Sequence, residues 1–93
     1  MNTKRKGTRN QHRSMRLLEA AGYRVTRAAA FLGTFDLIGI GSVDVVLVQV
    51  KSRDWPGVVA TEAMAEFVAP ANARKLVHRW RARQRMPDVR ELG

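Results

Sequence analysis

With 93 residues, 45% of them hydrophobic, the chain is long enough for one globular domain with a thin core. It has no cysteine, no apolar run near the ~18 residues of a membrane helix and no apolar leader segment, which argues against disulfides, thiolate metal sites and membrane insertion and reads as a soluble, cytoplasmic protein. The net charge of +9 is concentrated at the two ends, since residues 1–27 hold eight Lys and Arg against Glu19 and residues 73–93 hold seven against Asp88 and Glu91, while residues 28–72 hold Lys51 and Arg53 against five acids.

Residues 1–7 read as a flexible basic arm. Thr8 or Asn10 then caps a helix running to about Ala21, with Gly22 as its stop. Its apolar line is Gln11, Met15, Leu18 and Gly22, which puts Gln11 on the buried face and Arg9, Arg13 and Arg16 on the solvated side. After Gly22 the pattern changes. Tyr23, Val25 and Ala28 begin a first strand, residues 28–33 form a bend, residues 34–40 a second strand and residues 44–52 a third, strongly β-branched one. A short helix is expected over residues 61–68, with Met64, Phe67 and Val68 inward. Pro70 and Asn72 open a last helix ended by Pro87, whose stripe is Ala73, Leu76, Val77 and Trp80, and residues 88–92 add an edge strand. The order predicts a single α+β domain: an N-terminal helix, a central mixed or antiparallel sheet, and two further helices.

Basic ends around a slightly acidic middle suit a polyanion held by the ends and a cation held by the middle. If the hairpin loop is residues 41–44, Ile40 faces Val45 and Asp36 lies opposite Gln49. Opposed residues on antiparallel strands share a face with Cβ atoms ~5 Å apart, and Lys51, two residues on, shares it too. Asp36, the Gln49 amide oxygen and the Val50 carbonyl are then oxygen donors of the kind magnesium or manganese accepts, and Lys51 is positioned to act on a water or on developing charge. The same two residues read equally well as an ordinary Asp36–Lys51 cross-strand ion pair. Glu62 is a possible extra acid, although an acid in a helix's first turn also simply offsets the dipole. Arg5, Lys6, Arg9, Arg13, Arg27 and Arg53 are candidate nucleic-acid contacts.

The stretch from Arg5 to Lys51 resembles the PD-(D/E)XK nuclease superfamily, and most resembles its archaeal-type Holliday junction resolvases. The resemblance rests on Arg5-Lys6-Gly7, Leu17-Leu18-Glu19, Gly22-Tyr23, Val25, Arg27, Asp36-Leu37 and Val48-Gln49-Val50-Lys51, in that order. It implies a PD-(D/E)XK core and a Mg2+- or Mn2+-dependent endonuclease cutting branched DNA, such as a four-way junction, as a homodimer in a prokaryotic, archaeal or phage-infected cell. Asp36, Gln49, Lys51 and Gln11 would form its catalytic set, with Asp36, Gln49 and Val50 holding the metal. Two positions depart from the pattern, because the family's helix glutamate falls on Gln11 and its strand carboxylate on Gln49. A non-catalytic DNA-binding protein with a decayed site, a nuclease for other branched or nicked DNA, and a basic RNA- or ribosome-associated protein are the competing expectations.

Overall fold

The structure, a computed structural model, describes residues 3–28 and 33–93, with the side chains of residues 3–6 excepted. Helix α1 (Thr3–Ala20) leads into strands β1 (Arg24–Arg27), β2 (Leu37–Ile40) and β3 (Val45–Lys51); helix α2 (Val58–Glu66) follows, then strands β4 (Ala73–Arg79) and β5 (Asp88–Leu92). The five strands form one sheet in sequence order. Every neighbouring pair is antiparallel except β3 and β4, which run parallel through the α2 crossover.

Helix α1 ends where Gly22 adopts a φ of 102°. The Gly22 amide donates to the Glu19 carbonyl and the Tyr23 amide to the Leu18 carbonyl, each at 3.0 Å, a double cap that needs a left-handed residue between its donors. Tyr23 packs with Leu18 against the core and covers Gly39 and Gly41; a Cβ at Gly39 would meet Val46 at 2.8 Å and one at Gly41 would meet the Tyr23 ring at 2.8 Å. The Tyr23 hydroxyl donates to Asp44 at 2.8 Å, tying the hairpin loop to the end of α1.

Strand alternation divides the core in two. Leu37, Val46, Val48 and Leu76 point to the face covered by α1, where Leu18 and Met15 meet them. Leu47 and Val77 point to the other face, under Met64 of α2, Phe35 and Phe67. The Phe35 and Phe67 rings meet edge to face at 5.3 Å. Half-buried Trp55 packs there as well, between the guanidinium groups of Arg79 (4.3 Å) and Arg90 (4.0 Å).

Several expectations are corrected. Residues 3–7, expected as an arm, are the first turns of α1. Strand β2 begins at Leu37, three residues later than expected, and of the expected bend residues 29–32 lie outside the described residues. Helix α2 is displaced toward the N-terminus, leaving Val68 beyond it and 94% exposed. The largest correction is the last helix: residues 73–79 are β4, so among the described residues one helix follows α1 and not two. Apolar residues at 73, 76, 77 and 80 mimic a helical stripe. An inner strand covered on both faces buries neighbours such as Leu76 and Val77 together, and pairing with all seven residues of β3 outweighs local propensity.

Candidate active site

The expected hairpin register is present: Ile40 pairs with Val45 and Leu37 with Val48. Continued by one residue, that register sets Asp36 opposite Gln49, and the Asp36 amide donates to the Val48 carbonyl at 2.9 Å. Strand β2 begins only at Leu37, so beyond it β3 projects past its partner. The Asp36 side chain fills that gap, its Oδ2 accepting the Val50 amide at 2.7 Å. In a strand the N–H and C=O of one residue point the same way, so the Val50 carbonyl is directed to the same edge as Asp36.

Gln49 is held by its amide nitrogen, which donates to the Thr34 carbonyl at 3.2 Å. That bond settles which end is oxygen, since the reverse orientation would set two acceptors against each other. The Gln49 Oε1 is buried and has no hydrogen-bond partner among the described residues. An acceptor in that state costs about 1–3 kcal/mol.

Asp36 has its pKa raised above the usual carboxylate value because burial penalises the ionised form. The Val50 amide and the positive fields of Lys51 and Arg27 oppose that shift without cancelling it. Among the described residues no ion pair within 4.0 Å joins Asp36 to Lys51. The ordinary cross-strand salt bridge is therefore not formed, and the lysine acts on Asp36 through its field.

The other candidates are distributed as follows. Gln11 is half-buried on α1, and its Oε1 accepts from Arg27 Nε at 3.1 Å, the arginine whose charge acts on Asp36. Glu62 is exposed on α2. Among the described residues no three His, Asp or Glu side chains cluster as a metal-binding group. Arg9 and Arg53 are exposed, with Arg53 3.6 Å from Asp54. Arg13, expected in solvent, is partly covered: it stacks on Trp80 at 3.9 Å and donates to the Gln84 carbonyl at 2.6 Å. Arg5 and Lys6 lie on the first turns of α1, and their side chains lie outside the described residues.

A buried polar knot behind the site was not foreseen. Trp80 Nε1 donates to Ser14 Oγ at 2.8 Å, and Ser14 Oγ lies 2.9 Å from His78 Nδ1. After accepting from the indole the hydroxyl keeps a second lone pair and its own proton, so a neutral His78 pairs with it in either tautomer, donating from Nδ1 or accepting there. Burial lowers the His78 pKa to about 4, consistent with a neutral ring. Asn10 Nδ2 donates to Ser52 Oγ at 3.0 Å, joining α1 to the residue after Lys51. These partners are distant in sequence, and the buried line of α1 runs through Asn10, Ser14 and Leu18, one residue round from the expected line through Gln11 and Met15.

No family model matches the sequence, and no curated protein matches it closely enough to count as a relative. Among solved structures, the fold is similar to that of Hjc from Archaeoglobus fulgidus, a Holliday junction resolvase from an archaeal hyperthermophile, with a TM-score of 0.71 and 22% identity over 94% of this chain and 71% of that one. The chain shares the fold of that protein. The expected α+β architecture is thus present around Asp36 among the described residues, with β4 in place of the expected last helix. Among the described residues no helix is long and apolar enough to cross a membrane.

Proposed function

We propose that the protein is a metal-dependent, structure-specific DNA endonuclease of the Holliday junction resolvase kind, acting as a homodimer. The observation that carries this reading is the convergence of the Asp36 carboxylate, the unpartnered Gln49 oxygen, the Val50 carbonyl edge and Lys51 at one end of the sheet, in a fold shared with a resolvase. The donors are all oxygens, as a hard divalent cation requires, and the buried Gln49 oxygen fits such a partner. Asp36, Gln49 and Val50 would hold magnesium or manganese, which supplies a Lewis acid for the phosphoryl oxygens and a more acidic bound water. Lys51, with no carboxylate partner among the described residues, is placed to neutralise charge developing on the phosphate or to orient the attacking water. Asp36 is the main ligand, and Val50 donates its amide to keep that carboxylate at the strand edge. Gln11 supports the site through Arg27.

The test is cleavage of a four-way junction with magnesium and with manganese, using the parent chain and Asp36→Asn. Cleavage that needs the metal and disappears in the variant is expected. A parent inactive with both metals, or an active Asp36→Asn, overturns the proposal. A second reading, a DNA-binding protein with a decayed site, is favoured by the single carboxylate among the candidate ligands. It requires junction binding indifferent to metal and no nicking.

A further inference from the structure

Strands β3 and β4 run parallel with Lys51 opposite Arg79, and the Trp80 amide donates to the Lys51 carbonyl at 2.8 Å. The chain therefore leaves β4 at the end of the sheet that carries Asp36, Gln49 and Lys51, and it immediately enters the turn Arg81-Ala82-Arg83-Gln84-Arg85. The turn is closed by Gln84, whose amide donates to the Arg81 carbonyl at 3.2 Å and whose Oε1 accepts the Arg81 amide at 2.9 Å. Arg13 clamps it to α1 through the Gln84 carbonyl and the face of Trp80. Arg83 has a φ of 67° and is the only non-glycine residue with positive φ among those described. This conformation favours glycine or asparagine, so the position carries an arginine against local preference. Arg85 and Arg16 join Arg13 around an open groove of about 260 Å3 floored by Trp80 and Leu17. Among the described residues Arg16, Arg83 and Arg85 have no carboxylate partner, whereas Arg81 is paired with Asp88 at 3.2 Å.

Two exposed guanidinium groups on the clamped turn, Arg83 and Arg85, and a third on α1, Arg16, which lines the groove with Arg85, concentrate positive charge without a carboxylate among the described residues to offset it, and their planar forks match phosphate oxygens. We propose that the β4–β5 turn, with Arg16, Arg83 and Arg85, is a second DNA-backbone contact that grips phosphates beside the candidate active site. This rests on the reading that the ligand is DNA. Arg13 is a positioning residue here, since its guanidinium is held within the protein by Asn10 Oδ1, the Gln84 carbonyl and the Trp80 face.

The test is the salt dependence of binding to a four-way junction in EDTA, for the parent and for Arg83→Gly/Arg85→Ala. Glycine suits the backbone at position 83, so the double variant should melt no lower than about the parent. Loss of two phosphate contacts should reduce the slope of log K against log salt by about 1.8, a weakening of about 60-fold at 0.1 M salt, and Arg83→Lys/Arg85→Lys should restore the slope. An unchanged slope in the double variant, with the parent binding and cleaving, overturns the turn's role and leaves the proposed function standing. A parent that does not bind DNA overturns the proposed function itself.

Discussion

Replacing Gln49 by glutamate keeps the length of the side chain and puts a second charge opposite Asp36. With Cβ atoms ~5 Å apart across the strand pair, two carboxylates at that separation repel by about 3 kcal/mol at an effective dielectric constant of 20. The variant also loses the bond from the Gln49 amide to the Thr34 carbonyl. Asp36 already has a raised pKa from burial, so the pair will retain a proton that the unfolded chain releases. The folded pKa is then above the unfolded one, and the penalty is absent well below pH 4 and grows as the pH rises through the raised value. At pH 7 without metal a loss of about 3 kcal/mol lowers the melting temperature by about 15 °C in a domain of this size. Manganese at millimolar concentration should recover most of the loss, because it binds the folded pair and not the unfolded chain. Thermal melts at pH 5 and pH 7, in EDTA and in manganese, measure this. A variant that melts with the parent in EDTA would show that the two side chains do not share a site, and a depression that manganese leaves untouched would show that the pair holds no metal.

Asp36→Asn should lose cleavage while matching or exceeding the parent's stability. The asparagine carbonyl can still accept the Val50 amide, and the desolvation that raises the Asp36 pKa is removed; the gain should be largest at neutral pH and vanish below the unfolded carboxylate value, as denaturant melts across that range will reveal. His78, lowered from 6.5 to about 4, should make stability fall as pH drops from 6.5 to about 4, by at most about 3 kcal/mol, because the unfolded chain takes up a proton there and the folded one does not. Urea titrations of His78→Gln should lack that component, and a slope equal to the parent's would refute it. Ser14→Ala leaves the Trp80 indole without an acceptor and His78 Nδ1 without its partner, an expected cost of about 2 kcal/mol in the same titrations, whereas a loss under 0.5 kcal/mol would mean the knot is not structural.

The central hairpin was legible in the sequence because one short turn fixes its register. Once residues 41–44 are taken as the loop, counting outward sets Asp36 against Gln49, and alternation adds Lys51. Strand β4 was not legible, because its identity comes from pairing with β3 across the whole of α2. Locally its apolar spacing and flanking Pro70 and Pro87 favour a helix. Nor was the Ser14–His78–Trp80 knot, since nothing in the surroundings of Ser14 in sequence announces partners 64 and 66 residues away. The start of α1 shows the same limit in reverse: a run of Thr, Lys and Arg looks like an arm until Asn10 and Ser14 bury one side of the helix.

The charge around Asp36 has a consequence for how metal and DNA would bind. Lys51 and Arg27 both act on the carboxylate, and Gln11 and Gln49 stand where the resemblance implies acids, so the protein's own contribution near the cation is net positive. A divalent ion held by Asp36 and neutral oxygens should bind weakly to the protein alone. A phosphate lying across Lys51 would reverse the local balance and supply further oxygen ligands. Metal and DNA should therefore be coupled, and by linkage the coupling is reciprocal: manganese tightens DNA binding by the factor by which DNA tightens manganese binding. A typical coupling of about 1–3 kcal/mol, roughly 5- to 150-fold, is expected. Manganese titrations, alone and with a junction made uncleavable by phosphorothioate at the scissile position, measure one side of this cycle, and junction titrations with and without manganese measure the other. Gln49→Glu should raise manganese affinity in the absence of DNA and so reduce the coupling factor. Equal manganese affinity with and without DNA in the parent would mean that the carboxylate and neutral oxygens suffice alone, and that Lys51 and Arg27 do not control the site.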